Sequence, residues 1–151
     1  MAEENGEFGQ RLGFPPKVGS IAPNGSIPTE LRGLVEASFE NALKEIGEEE
    51  FFYIGRNFKR KTRAIENSRI PWVRDLVAQM RKLNLLYVAH TSGEIELREE
   101  VLNLIGATLF YFVNPFDLIP DHVPARGYLD DAHVFNLCVE RLKKLAPFCV
   151  E

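Results

Sequence analysis

Thirteen consecutive residues, Val101–Val113 (VLNLIGATLFYFV), are apolar around almost their whole circumference when wound at 3.6 residues per turn. A helix of that kind exposes no polar face, so other elements must cover it on all sides. The run is also too short to span a bilayer, which needs about 20 apolar residues. The chain is therefore expected to build a bundle around this segment, as the central helix of a single domain. A length of 151 residues suffices for one hydrophobic core.

The flanking sequence supplies the covering helices. Leu31, Leu34, Val35, Phe39, Leu43 and Ile46 recur at three- and four-residue spacing, which predicts a helix over 29–46 with Thr29 as its N-cap and Gly47 closing it. Glu48–Glu50 suit the start of a second helix that continues through Phe51, Ile54, Phe58 and Ile65. Pro71 enforces a break. A third helix follows over 72–90, with Val73, Leu76, Val77, Met80, Leu83, Tyr87 and Val88 inward and Trp72 anchoring its start against the second helix. After Thr91-Ser92-Gly93 the central helix is expected over 94–113. A fifth helix is expected over 130–145, with Val134, Leu137, Cys138, Leu142 and Leu145 on its inner face. No segment alternates with period two, so the fold class is all-α: a single compact bundle of about five helices over 29–151.

Residues 1–28 hold five glycines and four of the nine prolines, with apolar residues scattered without period. They read as a flexible, irregular, acidic arm, with Phe8, Phe14 and Ile21 available to pin parts of it to the body. The opening MAEENGEFGQ has neither the apolar stretch of a secretory signal nor the basic character of a transit peptide, and a cytoplasmic location is expected. Two cysteines, Cys138 and Cys149, provide no disulfide framework or paired metal-ligand spacing.

Charge is unevenly distributed beneath a net of −4. Residues 1–50 carry −6, residues 56–82 carry +7, and residues 83–151 carry −5. The basic stretch opens with FFYIGRNFKRKTR, in which Arg56, Lys59, Arg60, Lys61 and Arg63 are interleaved with aromatics, and Arg69 follows. One reading is an anion- or partner-binding patch that contacts phosphates or an anionic lipid surface. The other is the solvated face of helix two, with Phe51, Phe52 and Phe58 buried beneath it. Nucleic acid is disfavoured as a partner because the chain is acidic overall.

Between helices four and five, NPFDLIPDHVPARGYLDD spaces prolines and acids almost every third residue. Asn114 with Pro115 suits a short helical start, Asp117 can accept backbone N–H bonds, and Pro120 and Pro124 fix φ. Gly127 permits a positive φ, and Asp130 or Asp131 can cap helix five. Asp117, Asp121, Asp130 and Asp131, with His122 and His133 nearby, carry a second reading as a metal or acid/base site. The spacing matches no known metal loop, and capping already accounts for each aspartate.

This turn resembles the hallmark of the YkvA-like family, a domain of unknown function catalogued under number 1232. The residues that carry the resemblance are Pro115, Asp117, Ile119, Pro120, Asp121, Gly127, Asp130 and Asp131, and it extends over about residues 97–142. It implies a helical-hairpin module, often found alone in small bacterial proteins and sometimes beside membrane-associated segments, and it implies no established reaction. His122 and Arg126 stand where the family commonly has apolar residues.

No Ser, Cys or His constellation suggests a nucleophile, and no cofactor motif is present. The function expected from the sequence is a non-enzymatic interaction or regulatory module that binds a partner protein or the inner membrane surface. The alternative is a metal-binding, hydrolytic protein built on the four aspartates.

Overall fold

The computed structural model describes residues 14–114 and 128–151. Five helices follow one another: α1 Thr29–Glu45, α2 Glu48–Ile65, α3 Pro71–Thr91, α4 Glu99–Val113 and α5 Leu129–Leu145. A single 3₁₀ turn, Pro147–Cys149, ends the chain. The described residues contain no strand beyond one isolated bridge. The fold is all-α.

The apolar run determines the arrangement. Helix α4 packs against α1, α2, α3 and α5, and ten of its residues, including Ile105, Leu109 and Phe112, are buried. Each outer helix turns a stripe toward it: Val35 and Phe39 from α1, Ile54 and Phe58 from α2, Met80 and Leu83 from α3, Phe135 and Leu142 from α5. Burying one such side chain contributes roughly 1.5–3 kcal/mol, so this layer supplies most of the driving force for folding. Trp72 is buried at the start of α3, as expected of an anchor.

Five local expectations are corrected. Thr29 is the first helical residue rather than the cap; Pro28 occupies the cap position, without a side-chain cap bond. Gly47, in extended backbone at φ −158°, opens α2, while Ile46 ends α1. Helix α4 begins at Glu99 instead of 94. Gly93, at φ +83°, ends α3, and the amides of Glu94 and Ile95 bond back to Ala89 O at 2.9 and 3.3 Å. Leu97 N–H donates to His90 Nδ1 at 3.1 Å, so residues 94–97 spend their donors on the end of α3. Leu86 and Ala89 are buried on this side of α3, while Val88 is 46% exposed rather than inward. Leu34 is likewise 56% exposed, because only the Val35–Phe39 line of α1 meets the core.

Residues 14–28 are irregular in backbone, as expected, and they lie docked on the bundle. Val18 is fully buried; its N–H donates to Cys149 O at 2.8 Å, and Glu151 N–H donates to Val18 O at 3.1 Å. Gln79 Oε1 accepts from Gly19 N–H at 2.9 Å. Asn136 on α5 clamps Ile21 from both sides: its Oδ1 accepts from Ile21 N–H at 2.8 Å and its Nδ2 donates to Ile21 O at 2.9 Å. An irregular segment has no ladder of its own, so side-chain amides satisfy its backbone. Asn136→Ala should cost about 1–3 kcal/mol, the loss expected when buried backbone groups lose their partners. Hydrogen exchange at the Ile21 amide should accelerate in the same variant while α4 amides stay protected.

Candidate interaction surface

The candidate residues of the acidic turn divide at the boundary of the described structure. Asp117, Asp121 and His122 lie outside the described residues. Asp130 and Asp131 occupy the second and third positions of α5, where carboxylates are favoured by the helix dipole. Neither is the N-cap. Tyr128 holds that position without a side-chain cap bond, and both aspartates are fully buried. Tyr111 Oη on α4 donates to Asp130 Oδ2 at 3.1 Å, tying the two helices of the hairpin together inside the core. His133, one turn further along α5, meets Glu36 Oε1 of α1 at 3.0 Å. Two turns farther along, Arg141 pairs with Glu40 and lies 5.3 Å above the Phe39 ring, so polar pairs bridge the α1–α5 seam. Among the described residues no group of three or more His, Cys, Asp or Glu is placed to hold a metal.

The thiols are inert by placement. Cys138 and Cys149 are both fully buried. Desolvation pushes the Cys138 thiol up to about 12, against smaller opposing effects from a Thr108 hydrogen bond and the Arg141 charge. Burial raises Cys149 to about 11. A raised thiol stays protonated in the folded chain while its unfolded counterpart ionises from its ordinary value of 9.0, so stability is full below about pH 9 and falls as pH rises toward 12. The slope should approach about 1.4 kcal/mol per pH unit for Cys138, read from urea midpoints, and should flatten in Cys138→Ala.

The basic segment is where side chains gather on a surface. In α2 the core stripe is Ile54, Phe58, Thr62 and Ile65. The adjacent outer stripe is Phe52, Arg56, Lys59 and Arg63, at intervals of four, three and four residues, which places it on one side of the helix. Two hollows open beside this stripe, each with part of α3 in its lining. The one at the α2 N-terminal end, of about 800 Å³, is lined by Glu48, Glu49, Phe51, Phe52, Gly55, Arg56 and Tyr87. Its floor is the Phe51–Tyr87 stack, with centroids 5.0 Å apart and planes within 5°. Desolvation raises the Tyr87 phenol, which keeps it neutral. Farther along, a hollow of about 340 Å³ is lined by residues including Lys59, Arg63, Glu66, Arg81 and Leu85, and Glu66 pairs with Arg81 across it.

Phe52 is 67% exposed and Leu85 54% exposed at these two openings. Phe52 was expected beneath the basic face; it lies beside it, with the Arg56 guanidinium 5.6 Å above its ring. The six predicted basic residues accordingly separate. Arg56 lines the first hollow, and Lys59 and Arg63 line the second. Arg60 turns to Asn57, and Arg69 is exposed in the α2–α3 turn. Lys61 points inward, its ammonium 5.3 Å over Phe112 and 5.7 Å over Tyr128. Leu85 was not singled out by the sequence, Tyr87 was expected inward, and Arg81 was expected only as part of the basic segment over 56–82. The core stripe 54–58–62–65 carried the available signal, because it leaves Phe52 outside.

Residues 101–137 match the model of a family described as "Protein of unknown function (DUF1232)". The match falls within the 97–142 span that the turn suggested, and covers α4, the first half of α5 and the segment between them. No curated protein and no solved structure matches the chain. Among the described residues no helix is long and apolar enough to cross a membrane.

Proposed function

We propose that this chain, whose α4–α5 hairpin is of the DUF1232 type, is a non-enzymatic interaction module that docks a partner protein on its α2–α3 face. One observation carries the reading. The α2–α3 face sets an aromatic side chain that is 67% exposed, Phe52, beside Arg56 in the lining of a hollow of about 800 Å³, and Lys59 and Arg63 follow along the same side of α2 in the lining of a second hollow. Large exposed apolar groups rimmed by charge mark interaction sites, and aromatics with arginine are the residues enriched there. The described part of the family hallmark supports the same division of labour: Asp130 and Asp131 are buried in the scaffold, and α2 and α3 lie outside the family match. In this reading the hairpin holds the fold and the outer helices carry the contact.

A photo-crosslinking residue placed at position 52, in cells that express the full chain, tests this. Discrete adducts at position 52, absent when the same residue replaces the exposed Leu34 or Phe148, are the expected result. Equal labelling at all three positions would remove the assignment of the face.

A further inference from the structure

We infer that the partner segment is an amphipathic helix with its charge polarised along its length, basic toward one end and acidic toward the other; this rests on the reading of the α2–α3 face as the docking site. The order of groups along α2 carries the inference. Glu48 and Glu49 come first, then Phe52 with the Phe51–Tyr87 floor, then Arg56, Lys59 and Arg63. An apolar side chain seated over the floor would therefore have acid on one side and three bases on the other. The complementary ligand places cations toward Glu48 and Glu49, and carboxylates over Arg56, Lys59 and Arg63. Phe51 meets Tyr87 at the start of α2, and Glu66, just past its end, meets Arg81, so both ends of α2 have α3 beside them, and an amphipathic helix laid along α2 would meet the charged groups in that order.

The same geometry disfavours a bilayer. An anionic surface would meet Glu48 and Glu49 at the larger hollow, and its headgroups would face a recessed aromatic floor they cannot fill. Helix α2, at 18 residues, is about 27 Å long, so a ligand helix of about five turns spans the charge sequence.

The test uses the full chain and two labelled helical peptides of identical composition, each with one leucine/tryptophan stripe. In one, lysines lie toward one end and glutamates toward the other; in the second the same charges are interleaved. Fluorescence anisotropy should show the polarised peptide binding at least about tenfold more tightly, a gap of about 1.4 kcal/mol. That preference should shrink as ionic strength rises from about 0.05 to 0.3 M, and should disappear in Arg56→Glu/Lys59→Glu/Arg63→Glu, whose helicity is checked by circular dichroism. Phe52→Ser, which keeps the charges, should weaken both peptides. Equal affinity for the two peptides would overturn the inference, as would co-sedimentation of the chain with vesicles containing anionic phospholipid in a Phe52-dependent manner. If neither peptide binds while position 52 still crosslinks to a protein, the polarised helix is wrong and the docking face stands. If crosslinking is lost as well, both fall.

Discussion

Replacing Phe112 with alanine should destabilise the chain by about 3–5 kcal/mol, the usual cost of deleting a buried phenyl ring. Phe112 is fully buried on the helix that every other helix covers. Its ring lies 6.1 Å from the Phe58 ring, and the Lys61 ammonium sits 5.3 Å above it. Deleting the ring therefore opens a cavity beneath α2 and removes the surface on which the Lys61 charge rests. Domains of this size hold only about 5–15 kcal/mol in total, so the variant should approach the threshold of folding. Phe112→Leu keeps most of the volume and should lose much less. Urea unfolding followed by far-ultraviolet circular dichroism measures both.

Gly106→Leu should cost up to about 3 kcal/mol through overpacking, partly offset by a gain in helix propensity of under about 1 kcal/mol. Gly106 on α4 faces the start of α2. A Cβ built there would lie 2.5 Å from Phe51 Cε1, 2.6 Å from Phe51 Cζ and 3.2 Å from Ile46 Cγ1. The Phe51 ring would have to leave its stack on Tyr87, and that stack is the floor of the larger hollow. The substitution thus damages packing and the proposed docking face together. The expected signature is a lower urea midpoint with a changed near-ultraviolet tyrosine signal. An unchanged tyrosine signal would mean that the ring yields without leaving Tyr87.

The five helices were legible because each carries its apolar stripe at helical spacing, and α4 because it is apolar all round. What failed to show had tertiary causes. The start of α4 was placed five residues early because the donors of Glu94, Ile95 and Leu97 are taken by the end of α3, which no local pattern records. The docking of residues 14–28 depends on Asn136 and Gln79, far along the chain. Asp130 and Asp131 follow the rule for first-turn acids in position, yet their complete burial reflects the closeness of Tyr111 and α4. The charge run of α2 was visible, but its division into a hollow-lining set and the inward Lys61 required the helix to be rotated against α3 and α5.

On the proposed function, Phe52 stands exposed on the α2–α3 face for contact and not for folding. Phe52→Glu separates the two directly, because a side chain that is 67% exposed has little packing to lose. The urea midpoint should shift by no more than about 0.5 kcal/mol equivalent, while binding of the charge-polarised peptide falls at least about tenfold. A loss of stability of about 2 kcal/mol or more, with peptide binding intact, would show that Phe52 belongs to the fold and would contradict the account.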